Sequence, residues 1–358
     1  MAGPVRVLVV GCGHMGTSHA RAYERLDGFE VVGVVSRGEA SRRRLLADLG
    51  VDRPQFDDYA ASLAATRPDA VSINTYPDTH FDYASRALAA GCHVFLEKPM
   101  AETVEQARAL AAAARAARRK LVIGYILRVH PTWARFVEIA SGLGRPLVMR
   151  MNLNQQSSGP QWQTHKMLMQ SMSPIVDCGV HYVDVMCKMT RSRPLRVSAI
   201  GARLTDDLPA GMYNYGQLQV TFADGSVGWY EAGWGPMMSE TAYFVKDVVG
   251  PKGSVSITGV REGDAASDDV NAHSKAASLK LHHAALDAAG AFSRADEWIG
   301  FADEPDHDAL CELEQRAFLA AIRDDEDLTD HHEDGINSLR IVLAADESFR
   351  TGRTVDLG

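Results

Sequence analysis

The chain has 358 residues, 46% hydrophobic and 23% charged, which is the composition of an ordinary globular protein with enough length for two domains. A formal net charge of −9 argues against a nucleic-acid backbone as a partner, and no apolar run approaches the ~18–20 residues that span a bilayer. The five cysteines form no Cys-x-x-Cys pair, which argues against a disulfide framework and a thiolate zinc site. Since the chain also starts without the features of a secretory signal peptide, we expect a cytoplasmic protein.

Residues 1–125 alternate short apolar runs with amphipathic stretches, the pattern of a parallel sheet with crossover helices. The predicted strands cover residues 5–10, 30–35, 70–74, 93–97 and 121–124. The predicted helices cover residues 17–26, 40–49, 62–66, 81–90 and 104–118. Gly91 is a predicted C-cap, and Thr103 with Gln106 is a predicted capping box. The sequence therefore predicts an α/β domain over residues 1–125.

A glycine-rich turn directly follows the first strand and opens the first helix at Thr17. Gly11 permits the tight turn, Gly13 lets the backbone approach a pyrophosphate, and Gly16 lets helix and strand pack closely. The helix N-terminus then faces the phosphate charge. Such a turn alone is weak evidence, but between a strand and a helix it predicts dinucleotide binding. The residues of the turn that we expect to bind the cofactor are Gly11, Gly13, His14, Met15 and Gly16.

The residues at the end of the second strand decide whether the adenosine ribose carries a 2′-hydroxyl, as in NAD, or a 2′-phosphate, as in NADP. A carboxylate about 20 residues after the glycines would bind the 2′-hydroxyl of NAD, but this chain has Ser36 followed by Arg37. Ser36 can hydrogen-bond a 2′-phosphate and Arg37 can pair with it, with a run of three arginines, 42–44, just beyond. NADP is therefore favoured over NAD, although Glu39 keeps NAD open.

Lys98 lies just past the carboxyl end of the strand at residues 93–97, where ligands bind in an open α/β sheet. Pro99 fixes φ and biases Lys98 away from helix, which holds the lysine at the crevice. An ammonium in this place stabilises a developing alkoxide and passes on a proton. The alternative is a solvated surface lysine.

The pattern changes after about residue 125. A helix is predicted at residues 133–141. Longer alternating strands are predicted at residues 147–154, 196–204, 216–222, 227–234, 242–249 and 254–258. Asp224-Gly225 predicts a hairpin between two of these strands. An exposed loop is predicted at residues 262–275, and the last helices are predicted near residues 308–323 and 334–350. The sequence predicts a second domain over residues 126–358, of α+β type with a large, mostly antiparallel open sheet.

One predicted helix of this second part runs from Pro174 to about Lys188 and carries an acid and imidazole set. Asp177, His181 and Asp184 stand at i, i+4 and i+7, which is one helix face. An unperturbed histidine has a pKa near ~6.5 and is a base at neutral pH, and a neighbouring carboxylate raises that pKa and fixes the tautomer. The alternative is a buried histidine with structural acids, and Asp184 fits either role.

Together these residues resemble the glucose-fructose oxidoreductase / inositol dehydrogenase / rhizopine-catabolism (Gfo/Idh/MocA) family. The resemblance covers essentially the whole chain. It rests on the opening glycines, the run Ser72-Ile73-Asn74-Thr75-Tyr76-Pro77-Asp78-Thr79-His80, the triplet Glu97-Lys98-Pro99 and the pattern Asp177-x-Gly179-x-His181-x-x-Asp184. It implies an N-terminal Rossmann domain with a doubly wound parallel sheet, a C-terminal sheet domain, and NAD(P)-dependent oxidation or reduction of sugars or cyclitols.

The resemblance also implies that Lys98 and His181 are catalytic, with Asp177 as a substrate-binding and orienting group. The residues expected beside the cofactor, besides the turn, Ser36 and Arg37, are Asn74, Thr75, Tyr76, His80, Glu97, Lys98 and Arg128. Those expected beside the substrate are Lys98, Arg128, Asp177 and His181. The chain departs from the family pattern in two places. Residues 171–174 replace glycines that the family often has there, which bears on the shape of the substrate. The usual acid after the second strand is missing, which bears on the choice of cofactor.

Trp162 and His165 lie in a polar segment before the helix of Asp177 and are further candidates for substrate binding. An aromatic face suits stacking on a sugar ring, with local packing as the alternative. The histidine pairs at 282–283 and 331–332 lack carboxylate or cysteine partners with ligand spacing, so we predict no metal site. The long strands of the second domain predict a homo-oligomer, a dimer or a tetramer, through one face of the open sheet.

These residues support a specific reaction. We expect His181 to remove the proton of a secondary ring hydroxyl, hydride to pass to the nicotinamide, Lys98 to stabilise the oxyanion, and Asp177 to orient His181 or bind a neighbouring hydroxyl. The same residues would serve a glycoside-cleaving enzyme that uses tightly bound NAD(H) for transient C3 oxidation and elimination, so the sequence leaves this alternative open. A catalytically silent nucleotide sensor is disfavoured by the intact lysine, aspartate and histidine.

Overall fold

A computed structural model describes residues 3–239, 245–258, 278–301 and 304–358. The chain folds into two units, and each of them is discontinuous in sequence. The first unit comprises Met1–Val129 and Pro305–Ile336, and the second comprises His130–Glu304 and Asn337–Gly358. The predicted loop at residues 262–275 lies outside the described residues. No helix in the described part of the chain is long and apolar enough to cross a membrane.

The first unit is a doubly wound α/β layer. Its strands are β1 (Val5–Val10), β2 (Phe29–Val35), β3 (Gln55–Phe56), β4 (Ala70–Ile73), β5 (His93–Leu96) and β6 (Leu121–Ile123). Its helices are α1 (His14–Arg25), α2 (Glu39–Leu49), α3 (Tyr59–Thr66), α4 (Pro77–Ala89), α5 (Val104–Ala117), a 3₁₀ turn (Ile126–Arg128), α10 (His307–Arg323) and the start of α11 (Thr329–Thr351). The elements predicted for residues 1–125 are present, with ends shifted by up to four residues.

The six strands are all parallel and lie in the order β3-β2-β1-β4-β5-β6. Every residue of β4 is buried, as expected for a strand with helices on both faces. The order reverses between β1 and β4, and ligands of such sheets bind beyond the carboxyl ends of the strands at this switch point. The predicted Rossmann-type fold is confirmed, and it brings the glycine turn and Lys98 to the same edge of the sheet.

The first unit also contains a segment from the end of the chain. We expected one boundary after residue 125, whereas residues 305–336 group with the first unit. The physical reason is burial: α10 packs against α1, and its Phe318 lies in the apolar core with Tyr23 and Phe95.

The second unit is a nine-stranded sheet with helices. Its strands are β7 (Val148–Gln156), β8 (Pro194–Ala202), β9 (Tyr215–Phe222), β10 (Val227–Gly235), β11 (Lys246–Gly250), β12 (Gly253–Thr258), β13 (Ser278–His283), β14 (Glu297–Gly300) and β15 (Val355–Asp356). Its helices are α6 (Pro131–Ser141), α7 (Gly159–Leu168), α8 (Pro174–Asp177), α9 (Gly179–Thr190) and the end of α11.

The strand order is β14-β13-β12-β11-β7-β10-β9-β8-β15. The β7–β10 pair is parallel and the other pairs are antiparallel, so the predicted mostly antiparallel sheet is confirmed. The hairpin predicted at Asp224-Gly225 joins β9 and β10, with Gly225 at φ +84°. Helices α8 and α9 pack on β10, which sets the candidate acid and histidine on the sheet.

Candidate active site

The glycine turn has the geometry that a dinucleotide needs. Gly11 has φ +91°, and a Cβ at this position would lie 2.5 Å from the Asn74 carbonyl oxygen. A Cβ on Gly16 would lie 1.8 Å from the Gly11 carbonyl oxygen, so only glycine allows α1 to approach β1 this closely. A Cβ on Gly13 meets nothing within 4 Å among the described residues. Backbone at Gly13 is therefore open to a ligand.

The start of α1 suits an anion. Gly13 is the N-cap, and no described side chain accepts a hydrogen bond from the first turn, which also contains no acidic residue. His14 is exposed and Met15 is half-buried. Together with Cys12 and Gly13, His14 lines a cavity of about 340 Å³. Because the first N–H groups of a helix lack helical partners and carry positive charge, this terminus fits a phosphate.

The end of β2 carries positive charge, as the sequence predicts. Ser36 is half-buried with its hydroxyl 3.1 Å from the Ser41 hydroxyl, and Arg37 is exposed. Arg42 turns back and donates to the Ser36 carbonyl oxygen. Burial raises the pKa of the Cys12 thiol to about 11, and the Arg42 charge opposes this rise. The Arg42 guanidinium therefore lies near both the glycine turn and the end of β2.

Hydrogen bonds brace the loop after β4. Asn74 is buried and donates to the carbonyl oxygens of Val10 at 3.3 Å and Ser72 at 3.2 Å, so its amide braces β1 against β4. Thr75 shares a 2.6 Å hydrogen bond with the Thr79 hydroxyl. Tyr76 is 58% exposed at the start of α4, which leaves its ring accessible to a ligand.

His80 is buried, and it connects two loops. Its Nδ1 lies 2.8 Å from the Pro99 carbonyl oxygen and its Nε2 3.0 Å from the Thr75 carbonyl oxygen. Burial lowers the pKa of His80, while the two carbonyl contacts oppose this effect. We predicted a cofactor contact, and the structure places His80 behind the loops as a tie between them.

Glu97 and Lys98 end β5. Glu97 is buried, with Oε1 2.7 Å from His19 Nε2, and its Oε2 accepts the backbone N–H of Lys98 at 3.2 Å. Lys98 is half-buried just beyond the strand. The glutamate of the motif is thus a support for the lysine backbone, and Gln315, on α10, bonds the other side of His19.

Arg128 follows β6 and is held within the first unit. Its guanidinium lies 3.3 Å from Asp334 Oδ2 and 3.0 Å from His331 Nδ1, and over the Tyr125 ring at 5.4 Å. A role in ligand binding stays a prediction, and a ligand would share the guanidinium with Asp334.

The predicted single helix from Pro174 to about Lys188 is wrong. The structure has two helices, α8 and α9, that meet at Cys178, and the N–H of His181 bonds to the Cys178 carbonyl oxygen at 3.2 Å. Asp177 therefore ends α8, and His181 lies in the first turn of α9. Both are half-buried, whereas Asp184 is completely buried. The three residues do not share one accessible face, and Asp184 is a core residue.

A series of side-chain contacts connects Asp177 to the strands of the sheet. Its Oδ2 lies 3.7 Å from the Cys178 thiol, which is 3.5 Å from Gln155 Oε1. The same Gln155 oxygen accepts the Trp234 indole N–H at 2.6 Å. Gly179 completes the packing, because a Cβ there would lie 2.9 Å from the Tyr230 ring.

The polar segment with Trp162 and His165 is a helix, α7, which the sequence analysis missed. His165 is buried, its ring stacks on the Trp234 ring at 4.4 Å, and its Nδ1 lies 2.9 Å from the Ser157 hydroxyl. Trp162 is half-buried, with the Lys166 ammonium 5.6 Å from its ring. The geometry of His165 matches the local-packing alternative, whereas part of the Trp162 surface stays accessible.

The two histidine pairs have separate partners. His282 and His283 pair with Asp296 at 2.8 Å and Glu297 at 2.7 Å. His331 Nε2 accepts the Ile123 N–H at 2.9 Å, and His332 Nε2 lies 2.7 Å from the Leu121 carbonyl oxygen.

Sequence reasoning missed the residues that support the candidates. Besides His19, Gln315 and Gln155 they include Asp346, which accepts a hydrogen bond from the hydroxyl of Ser173, the N-cap of α8, at 2.7 Å. The four residues come from four separate elements and belong to no motif. The signal for His19 was a polar residue on the buried face of a helix that begins at the glycine turn. Gln155 and Asp346 carry no comparable signal, because their partners are far apart in sequence.

Comparison with known proteins supports the same fold. The GFO_IDH_MocA profile, described as an oxidoreductase family with an NAD-binding Rossmann fold, matches residues 5–125, and the GFO/IDH/MocA C-terminal domain profile matches residues 139–256. D-glucoside 3-dehydrogenase of Escherichia coli is 32% identical over 186 residues, 51% of this chain and 52% of that protein. The match thus spans about half the length of that relative.

Two further proteins match along nearly their whole length. The scyllo-inositol 2-dehydrogenase (NAD(+)) of Bacillus subtilis is 24% identical over 366 residues, covering 99% of this chain and 96% of that protein. The crystal structure of an oxidoreductase from Agrobacterium radiobacter in complex with NAD+, L-tartaric acid and magnesium has a TM-score of 0.77 at 16% identity, covering 98% of each chain. At this identity the structural match shows the fold alone.

Proposed function

Because the chain belongs to the GFO/IDH/MocA family of oxidoreductases, we propose that it transfers hydride between a nicotinamide cofactor and a secondary ring hydroxyl of a sugar, glycoside or cyclitol. The observation that carries the proposal is Lys98 at the end of β5, on the sheet edge that also holds an open glycine turn. Similar proteins named glucoside and inositol dehydrogenases support the substrate class.

The cofactor fits the first unit. Gly11, Gly13 and Gly16 leave room for a pyrophosphate against backbone, and the start of α1 supplies N–H groups for its charge. For the 2′-position we propose NADP over NAD. Ser36, Arg37 and Arg42 together offer a hydroxyl and two guanidinium groups, which match a phosphate better than a ribose hydroxyl.

The chemistry follows from three side chains. When bound, the nicotinamide accepts or returns the hydride. His181 takes the hydroxyl proton at an imidazole nitrogen, and the Lys98 ammonium donates a hydrogen bond to the substrate oxygen as it gains negative charge. Asp177, at the end of α8, binds a neighbouring hydroxyl or orients His181. Reduction uses the same groups in the reverse order.

A substrate panel tests this proposal. Sugars, methyl glycosides and inositols are each offered with NAD+ and with NADP+, and reduced cofactor is followed by its near-ultraviolet absorbance. We expect turnover with at least one ring alcohol and a higher kcat/KM with NADP+. Conversion of a glycoside to sugar and aglycone without net reduction of added cofactor would point instead to the glycoside-cleaving alternative.

Variants of the three residues locate the chemistry. We expect Lys98→Met and His181→Asn each to lower kcat by about 10³-fold, because each removes a group that acts in the transition state. Fluorescence titration with reduced cofactor is the matched measurement, and its Kd should change little. Wild-type turnover in either variant contradicts the assignment.

We also propose that the protein is a homo-oligomer in the cytoplasm. Helices α8 and α9 pack on β10 of the second unit's sheet. Val148, Val227 and Val249 are exposed apolar residues of adjoining strands, and a second copy would bury them. The five free, buried cysteines support a reducing compartment. Light scattering of the purified protein tests the first of these proposals.

A further inference from the structure

A line of hydrogen bonds runs behind Lys98 through three elements of the first unit. The Gln315 amide on α10 donates to His19 Nδ1 at 2.9 Å. The His19 ring on α1 bonds through Nε2 to Glu97 Oε1 at 2.7 Å. Glu97 Oε2 accepts the backbone N–H of Lys98 at 3.2 Å. His19 and Gln315 have no exposed surface, so water does not compete for the bond between them.

The orientation of the Gln315 side chain assigns the tautomer of the His19 ring. The structure turns the amide NH₂ group toward His19, and an NH₂ group only donates, so Nδ1 accepts this bond. A neutral imidazole with an accepting Nδ1 carries its proton on Nε2, and that N–H then points at Glu97. Glu97 accepts with both oxygens, from His19 and from the Lys98 backbone, which is the bonding of an ionised carboxylate.

A second carboxyl group is buried beside this line of hydrogen bonds. Glu314 lies beside the line, and its Oε1 is buried with no hydrogen-bond partner among the described residues. Burial, and then the charge of Glu97, raise the pKa of Glu314 well above its usual range, because both disfavour a second charge beside Glu97. A Cβ added to Gly124 would lie 3.5 Å from Glu97 Oε1 and 3.6 Å from Glu314 Oε1, which shows how closely backbone encloses both acids.

We propose that Gln315 is a positioning residue of the reaction, because it fixes the His19 tautomer that donates to Glu97 and so holds the end of β5 that presents Lys98. The proposal rests on the catalytic role of Lys98 proposed above. Without the amide, His19 is free to carry its proton on Nδ1. The Nε2 lone pair would then face the Glu97 carboxylate, and the repulsion would displace the lysine backbone.

The tautomer is measured directly by ¹⁵N NMR of the protein with labelled histidine, and the His19 signals are assigned with His19→Asn. In the wild-type protein at pH 7 we expect an unprotonated Nδ1 and a protonated Nε2. Gln315→Met keeps the length of the side chain and removes the donor, so the two nitrogens should shift toward each other as both tautomers become populated. Glu314→Gln is the matched control, equally buried on the same helix, and should leave the His19 shifts unchanged.

Activity shows whether the tautomer matters. With the best substrate of the panel, we expect Gln315→Met to lower kcat about 10-fold while the Kd for reduced cofactor stays within about twofold, because a small displacement of a reacting group is costly in rate. Glu314→Gln should keep the wild-type kcat. If the wild-type protein shows no turnover on any substrate, the proposed function fails, whereas the NMR result still decides the tautomer.

Two results would overturn the proposal. One is a protonated His19 Nδ1 in the wild-type protein, or unchanged His19 shifts in Gln315→Met. The other is a bound metal: ligand atoms of His19, Cys311 and Glu314 lie within 4.8 Å of one another, so one zinc per chain by elemental analysis would make Nδ1 a metal ligand. Because the wild-type measurement does not depend on Gln315→Met, the tautomer is still decided if that variant fails to fold.

Discussion

The two units hold their candidate residues in different ways. In the first, backbone geometry does so: Gly11 and Gly16 allow the tight turn, and Lys98 follows a parallel strand, β5, in which all residues but His93 are buried. In the second, side chains distant in sequence hold two short helices at a break, through contacts such as Gln155 with Cys178. A site built on backbone leaves a pattern in the sequence, whereas a site built on side-chain contacts leaves little.

The largest expected effect on stability comes from substitutions that add a methyl group to a glycine. In Gly16→Ala the Cβ would meet the Gly11 carbonyl oxygen at 1.8 Å, so backbone must move, and we expect a loss of about 4 kcal/mol in the free energy of unfolding. Gly179→Ala, in the second unit, meets the Tyr230 ring at 2.9 Å and should cost about 2 kcal/mol, since a ring can shift.

Urea unfolding measures both variants. Gly13→Ala is the control, because its Cβ meets nothing within 4 Å among the described residues, and it should lose at most about 1 kcal/mol, the cost of alanine at the N-cap of α1. Equal losses for Gly16→Ala and Gly179→Ala would remove the distinction between the units.

The next largest expected effect is a loss of unfolding free energy at acid pH, which arises from His130 in the second unit. Burial lowers the pKa of His130 to about 4, below its ordinary value, so the unfolded chain takes up the proton first. The stability from neutral His130 is therefore complete above about pH 6.5 and lost as the pH falls, by about 3 kcal/mol at pH 4.

His130→Asn removes this titration and keeps a residue suited to its position as N-cap of α6. The difference in unfolding free energy between pH 7 and pH 5 should shrink in the variant. An unchanged pH dependence would mean that His130 is protonated at a similar pH in both states.

A buried acid tests the side-chain bracing of the second unit. Asp346 Oδ1 accepts hydrogen bonds from the Tyr213 hydroxyl at 2.5 Å and the Ser173 hydroxyl at 2.7 Å. Asp346→Ala removes the acceptor of both and should cost about 2 kcal/mol. Because Ser173 caps α8, which ends at Asp177, we also expect KM to rise.

Asp346→Asn is the matched variant, since it keeps an oxygen acceptor and cannot ionise. Burial raises the pKa of Asp346, so the folded state holds this proton more tightly and the wild-type protein loses stability as the pH rises through that pKa. The asparagine variant should lack this loss. If alanine and asparagine behave alike, the hydrogen bonds contribute nothing.

Helix caps give the smallest effect. The Thr103 hydroxyl accepts the Gln106 N–H at 3.2 Å at the start of α5, and Ser173 accepts the Val176 N–H at 3.2 Å at the start of α8. Thr103→Ala and Ser173→Ala should each cost about 1 kcal/mol. Only the second should change KM, and a change in KM in the first would show that α5 also acts on the site.

Most of the first unit was predictable from the sequence. Its strands are short apolar runs, Thr103 and Gly91 mark helix ends, and the glycine turn has a mechanism for each glycine. These are local features, in which a residue and its near neighbours fix the backbone. The two-residue strand β3 was missed because so short a segment has no periodicity.

The second unit was predictable in outline only. Alternation identified the strands β7 to β12, but β13, β14, β15 and the helix α7 were missed. The break at Cys178 was missed as well, because the sequence has strong helical periodicity on both sides of it. Packing decided these points. The Tyr230 ring packs closely against Gly179. The Ser173 hydroxyl donates a hydrogen bond to Asp346, more than 170 positions away in the chain.

The sequence by itself determined the family, the parallel sheet, the glycine turn and the candidates Lys98 and His181, because each depends on a local pattern that only certain residue types satisfy. Only the tertiary structure decided that His80, His165 and Asp184 are buried, and that Gln315 bonds His19. Burial and hydrogen bonds between distant residues decide such roles, and they exist only after the chain has folded.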